Sequence, residues 1–271
     1  TIAQFNLNSN TYYENAIFRV AGDHCTLRNS NFTGVDVGNW SHNTEFVRIE
    51  TATNALIENN YFRGLISVSY AAVNTAAVYF HMLSNTTTVR NNTIENCEGG
   101  IYGKGNSANV SIYNNFIYNS SNTCSIGIWY IKSANIGESQ TTRRIYQNII
   151  VGCNIGIYFE DHEPIVSGSL IYNNTIYTAN GTDDGIHIGN NFINTEVFNN
   201  IIYGRNPYLR YYDGTVSYSN YNVFYNTAGN VWNRSYKTNY TSISAWWKAT
   251  GFDENSITSN PLFINPGGSS P

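Results

Sequence analysis

The sequence predicts an all-β fold: a single-stranded, right-handed parallel β-helix closed by a C-terminal capping segment. Three observations predict it. A two-part β unit recurs, as Gly100–Lys104 with Val110–Ile117, Gly156–Glu160 with Leu170–Ile176, and Gly185–Ile188 with Val197–Ile202. Each second part carries Asn-Asn or a close equivalent, and the second Asn falls at Asn60, Asn92, Asn115, Asn148, Asn174 and Asn200, at intervals of 32, 23, 33, 26 and 26 residues. Only 12% of the 271 residues are charged, against 22 Tyr, 22 Gly and one Met, a mixture in which no long helical period survives. Short strands leave no room for a crossover helix, so the variable spacing reads as coils whose turns differ in length while their strands stay in register.

The Asn column has a structural reason. Coils stack about 4.8 Å apart, so identical residues at one corner can pass amide hydrogen bonds up and down the stack. Asn also tolerates the left-handed backbone that a tight corner needs.

The coils are read in order as Ile17–Val20 with Cys25–Asn29, Phe46–Glu50 with Ala55–Asn60, Val78–His81 with Thr88–Asn92, and the Gly100 coil. Gly127–Tyr130 with Arg144–Asn148 and the Gly156 and Gly185 coils follow, and Leu209–Tyr212 opens a last, degraded turn. Residues 1–225 are assigned to coils and 226–271 to a cap and tail of the same domain. Within the cap, Thr241–Gly251 reads as a short helix with a hydroxyl residue at its start and Gly251 at its end. Trp246 and Trp247 are assigned to closing the open end of the core. Three segments read as insertions, Leu65–Ala77, Ser133–Thr142 and Asp161–Ser169; the last two leave the body directly after the first strand and should wall one edge of its outer face.

A net charge of −4 with no Lys/Arg run argues against nucleic acid, and no apolar stretch is long enough to span a membrane. Thr1 and the Gly267–Pro271 end read as the trimmed part of a longer exported protein. Ten Asn-x-Ser/Thr sequons permit glycosylation in such a setting. Cys97, Cys124 and Cys153 each precede a strand-opening Gly by three residues, so they should stack in adjacent coils, either with one disulfide or as buried thiols. Cys25 is expected inside the core. No Cys/His zinc spacing occurs.

The Asn-Asn coils, together with Ala245–Gly251, Asp253–Ile257 and Asn260–Pro266, resemble the right-handed β-helix repeat proteins of microbial surfaces and secretomes, the pectate-lyase-like superfamily. The resemblance covers nearly the whole chain and implies an extracellular or cell-surface setting. That family includes polysaccharide lyases and glycosidases beside many members without assigned activity.

Alternation in the first strand gives an outer face. Tyr158 and Glu160 point outward, as do Arg48 and Glu50, Tyr79 and His81, Tyr102 and Lys104, and Trp129 with Lys132 if a bulge sits at Ile131; His187 and Arg210 continue the first column. Rings at coil spacing suit an extended sugar chain flanked by ionisable groups. The same ladder also stabilises a sheet without any ligand.

Uronate β-elimination needs a base and a cation, and His81, Lys104, Tyr102 and Arg48 are the right types. Lys104 matches the Lys of alginate-lyase and chondroitinase-type β-helices, which the chain resembles in part; no Arg follows one coil later on that face. Hydrolysis would instead use Glu160 with Asp161 or Glu163. Glu160–Glu163 can also hold Ca²⁺ or stand as a solvated loop. The sequence thus points to a polysaccharide binder and leaves open whether it also cleaves, as a lyase or glycoside hydrolase, with catalytic candidates His81, Lys104 and Glu160 and binding candidates Arg48, Tyr79, Tyr102, Trp129, Lys132, Tyr158 and His187. The alternative is a non-catalytic surface protein, an adhesin or envelope component that uses the face for assembly. A trimeric tailspike is a third reading, for which no trimerisation segment is seen.

Overall fold

The computed structural model describes residues 14–36, 43–66, 75–81, 84–104, 107–120, 124–131, 142–160, 166–178, 184–204, 209–212, 215–226, 233–235 and 238–264. It is a parallel β-solenoid of three main sheets. The first sheet stacks Glu14–Val20, Asn43–Glu50, Ala76–His81, Gly99–Lys104, Ile126–Ile131, Ile155–Phe159, Ile186–Ile188 and Leu209–Tyr211. It ends in Asn233–Ser235, paired antiparallel with Thr238–Tyr240.

The second part of each repeat is two strands rather than one. Arg144–Tyr146 and Ile149–Val151, or Leu170–Tyr172 and Thr175–Thr178, belong to the second and third sheets on either side of a corner. The corner divides between the two residues of the Asn pair. The first takes the left-handed conformation, with φ of 55° at Asn59, 54° at Asn91 and 55° at Asn173. The second turns inward and builds the ladder. The sequence pattern alone leads one to expect both properties in one residue; the bend and the buried hydrogen bonds require different side-chain directions, so two residues share them.

The ladder is directional. Asn148 Nδ2 donates to Asn174 Oδ1 at 3.0 Å, to Ile112 O at 2.9 Å and to Tyr146 O at 3.1 Å, while its Oδ1 accepts from Asn115 N and Nδ2 at 3.1 and 3.0 Å. The pattern repeats from Asn60 to Asn222, so the row of amides ends with its N–H groups facing the cap. There the buried Asp253 carboxylate receives them. Its Oδ1 accepts from Asn222 Nδ2 at 2.9 Å and Ser256 Oγ at 2.6 Å, and its Oδ2 from Ser219 Oγ at 2.7 Å and Trp246 Nε1 at 2.9 Å. A carboxylate at the donor end of aligned amides is the side-chain counterpart of an acidic helix N-cap.

The interior is filled by in-register columns. Val47, Val78, Ile101, Ile128, Ile157, Ile186 and Leu209 stack in the first sheet. Ile57, Val89, Ile112, Ile145, Ile171 and Val197 stack in the second, and Phe62, Ile94, Ile117, Ile150, Ile176, Ile202 and Phe224 in the third. All are buried. Each such side chain contributes about 1.5–3 kcal/mol, which makes these columns the main source of stability. Gly103 sits between Phe80 and Tyr130 in the neighbouring inward column, and an added methyl there would overlap the Phe80 ring. Its absence lets the two rings meet edge to face, 5.5 Å between centroids.

Cys124 and Cys153 are disulfide-bonded across adjacent coils with Cα atoms 4.6 Å apart, and Cys97 below them is a buried thiol that burial pushes up to about 12. Cys25 is only partly buried, against the core edge. The helix spans Ile243–Thr250, with Ser242 Oγ accepting from Ala245 N at 3.1 Å and Gly251 at φ 75°. Trp246 is fully buried against Tyr211 and Tyr240, whereas Trp247 is 40% exposed, so one indole of the pair closes the core and the other does not. The turn opened by Leu209 is a full coil, completed by Val216–Asn220 and Val223–Asn226.

Candidate functional site

The outward columns of the first sheet form as the alternation requires. Arg48, Tyr79, Tyr102, Trp129, Tyr158, His187 and Arg210 occupy one row, each paired with the next. Glu50, His81, Lys104 and Ile131 form a second. The Lys104–Ile131 pairing continues an unbroken register, so no bulge lies at Ile131 and this apolar residue takes the place that the sequence reading gave to Lys132. Lys132 itself lies outside the described residues, as do Asp161, His162 and Glu163 of the expected Ca²⁺ or acid cluster and most of the two expected loops.

A third outward row was not legible: Glu45 and Ala76, then Gly99, Ile126 and Ile155. Strict alternation puts i and i+3 on opposite faces. Here two successive residues turn inward, as in Phe46-Val47 and Ala77-Val78, and bring i and i+3 together. Glu45 thereby meets Arg48, and Asp184 meets His187. The strand-opening glycines that follow this row, Gly100, Gly127 and Gly156, were the available signal.

The face is not an open ladder along its length. Arg48, Tyr79 and Tyr102 are each 1% exposed. With Ala76, Ile126 and Ile131 the two tyrosines make a second apolar cluster outside the solenoid core, against which Trp129, Ile155 and Tyr158 are partly buried. Tyr102 lies over Gly99, its hydroxyl 3.1 Å from Ser125 Oγ, and desolvation raises its pKa above the ordinary phenol range.

Ion pairs hold both ends of this cluster. Arg48 lies 3.7 Å from Glu45 Oε1, 3.8 Å from Glu50 Oε2 and 3.5 Å from His81 Nδ1, with its guanidinium over the Tyr79 ring. His81 Nδ1 is 3.7 Å from Glu50 Oε1, and Arg19 reaches Glu50 at 3.1 Å. At the far end Asp184 Oδ2 is 3.3 Å from both His187 Nδ1 and Arg210 Nη1, and the His187 ring stacks on Tyr158 at 4.6 Å. The partly exposed part of the face is therefore Glu50, His81, Lys104, Trp129, Tyr158, Glu160, His187 and Arg210.

These positions bear on the catalytic candidates. Lys104 and His81 are neighbours on adjacent coils, as expected. The carboxylate-neutralising cation, Arg48, is already matched to two acids. Glu160 lies one coil beyond Ile131, its N–H donating to Tyr130 O at 2.9 Å. Four coil spacings, about 19 Å, separate it from Glu50, well outside the range of a hydrolytic carboxyl pair. Among the described residues no group of three or more His, Cys, Asp or Glu is placed to hold a metal, and no helix is long and apolar enough to cross a membrane.

No protein-family model, curated protein or solved structure matches the chain.

Proposed function

We propose that this protein binds an extended polysaccharide along the outer face of its first sheet, without cleaving it, as a pectate-lyase-like β-helix at a cell surface or outside the cell. The observation that carries the reading is the partly exposed strip of stacked rings Trp129, Tyr158 and His187, bordered by Lys104, Glu160 and Arg210. Binding is favoured over cleavage because the cation and the imidazole that elimination would use, Arg48 and His81, are engaged with Glu45 and Glu50. The Cys124–Cys153 disulfide supports an oxidising compartment.

The test is affinity electrophoresis in gels containing neutral or uronate polysaccharides, beside an assay for unsaturated products and new reducing ends, with and without Ca²⁺. Retardation that Trp129→Ala or Tyr158→Ala weakens, with no product formed, is the expected result. Unsaturated product lost in Lys104→Ala would replace binding with lyase chemistry, and absence of retardation on every polymer would leave a structural scaffold.

A further inference from the structure

The corner between the second and third sheets carries a second periodic array. The left-handed residues Asn59, Asn91, Asn114, Gln147, Asn173 and Asn199 all have φ between 53° and 55° and are all exposed. Their backbone N–H groups are taken by the next coil, each donating at 3.3 Å to the carbonyl of the residue that precedes its counterpart. Among the described residues, their side-chain carboxamides have no hydrogen-bond partner. Six such groups at coil spacing form a row about 24 Å long.

A ring ladder runs beside it, because the residue before each corner amide ends a strand of the second sheet with its side chain outward. Tyr113, Tyr146, Tyr172 and Phe198 stack nearly parallel, with centroids 4.6, 4.9 and 5.1 Å apart. In such a stack the ring faces are spent on neighbouring rings, and what reaches solvent is a line of edges and phenol hydroxyls. At one end Arg90 caps the ladder, donating to Tyr113 Oη at 2.9 Å and neutralised by Glu58 at 2.7 Å. The half-exposed or exposed Phe116, Ile149, Thr175 and Ile201 border the amides on the other side.

We infer that this corner is a second binding strip, for an uncharged polysaccharide lying parallel to the solenoid axis. A carboxamide offers a donor and an acceptor side by side, the pattern that matches neighbouring sugar hydroxyls, and a repeat near 5 Å presents one pair per coil. Rigid ring edges on one side and short apolar side chains on the other give the sugar C–H groups a surface at little cost in side-chain entropy. The amides and rings of the strip carry no charge; Arg90 at its end is paired with Glu58, and the exposed Arg144 beside Tyr146 is the further cation near the ladder, so a uronate or sulfated chain finds few cations here. The first-sheet face, with Lys104, Glu160 and an Arg210 paired to Asp184, carries charges of both signs instead.

Glycine replaces a left-handed Asn without strain, so Asn114→Gly, Gln147→Gly and Asn173→Gly together remove three carboxamides and leave the corner intact. In gels of galactomannan, laminarin or polygalacturonate, the native protein should be retarded by a neutral polymer, and the triple variant should bind it about tenfold or more weakly at unchanged melting temperature. Tyr146→Phe, which removes one hydroxyl from the ladder, should weaken it less. Neutral-polymer retardation that survives in the triple variant but is lost in Trp129→Ala would overturn the strip and leave the first-sheet reading standing. The reverse pattern supports the strip, and the first-sheet reading then stands only if polygalacturonate retards the protein and Trp129→Ala weakens that retardation. Failure of every polymer to retard the native protein overturns both.

Discussion

Replacing Asp253 by Ala tests whether the Asn ladder depends on its terminator. The carboxylate is buried and accepts four hydrogen bonds. The two serine hydroxyls can rotate towards other acceptors, and Asn222 Nδ2 keeps Val197 O and Ser219 Oγ. Trp246 Nε1, which among the described residues donates to Asp253 alone, is stranded inside the cap. A buried donor left unmade costs about 1–3 kcal/mol, and partial loss at Asn222 adds about 1. Position 253 also has φ 60°, which costs alanine about 1–2 kcal/mol more. The sum is about 3–6 kcal/mol. Asp253→Asn tolerates the backbone and keeps one acceptor oxygen, so it should cost about 1–2 kcal/mol. Urea denaturation followed by tryptophan fluorescence reads both values. An Asp253→Ala protein within about 1 kcal/mol of native, or an Asn variant as damaged as the Ala variant, would refute the account of the terminator.

Asn148→Ala should cost about 3–5 kcal/mol, since it orphans buried groups on both adjacent coils, whereas Gln147→Gly beside it should change stability by less than about 1, both read from denaturation midpoints. Gly103→Ala should destabilise by about 2–4 kcal/mol because its methyl overlaps the Phe80 ring, and pairing it with Phe80→Leu should recover part of the loss. Alkaline pH should also destabilise the fold. The Cys97 thiol titrates near 9 when unfolded and near 12 when folded, so above pH 9 the unfolded chain binds fewer protons than the native one and stability falls until about pH 12. Burial of the Tyr102 and Tyr130 phenols acts in the same direction at higher pH. Cys97→Ser should remove the part of that decline that begins at pH 9, measured as melting temperature against pH.

The register of the first sheet was legible from residues such as Tyr79, Tyr102 and Tyr158, because a side-chain period of two fixes which face each residue takes once one position is known. The helix at Ile243–Thr250 was legible for a similarly local reason: its hydroxyl cap and terminal glycine act within one turn. The exposure of the face was not legible. Alternation states that Tyr79 and Tyr102 leave the core, but not that they enter a second apolar cluster with Ala76, Ile126 and Ile131. Nor could it pair Glu45 with Arg48 or Asp184 with His187, contacts that exist because the strands bend at two consecutive inward residues.

The sequence by itself determined the solenoid, the ladder positions, the first outward row and the adjacency of Cys97, Cys124 and Cys153, since each follows from repetition: coils that repeat must place like residues above one another. Only the tertiary structure decided which two cysteines bond, which Asn of each pair bends and which turns inward, and which outward side chains stay in water. Those outcomes depend on the direction of a side chain and on what packs over it, and a periodic sequence specifies neither.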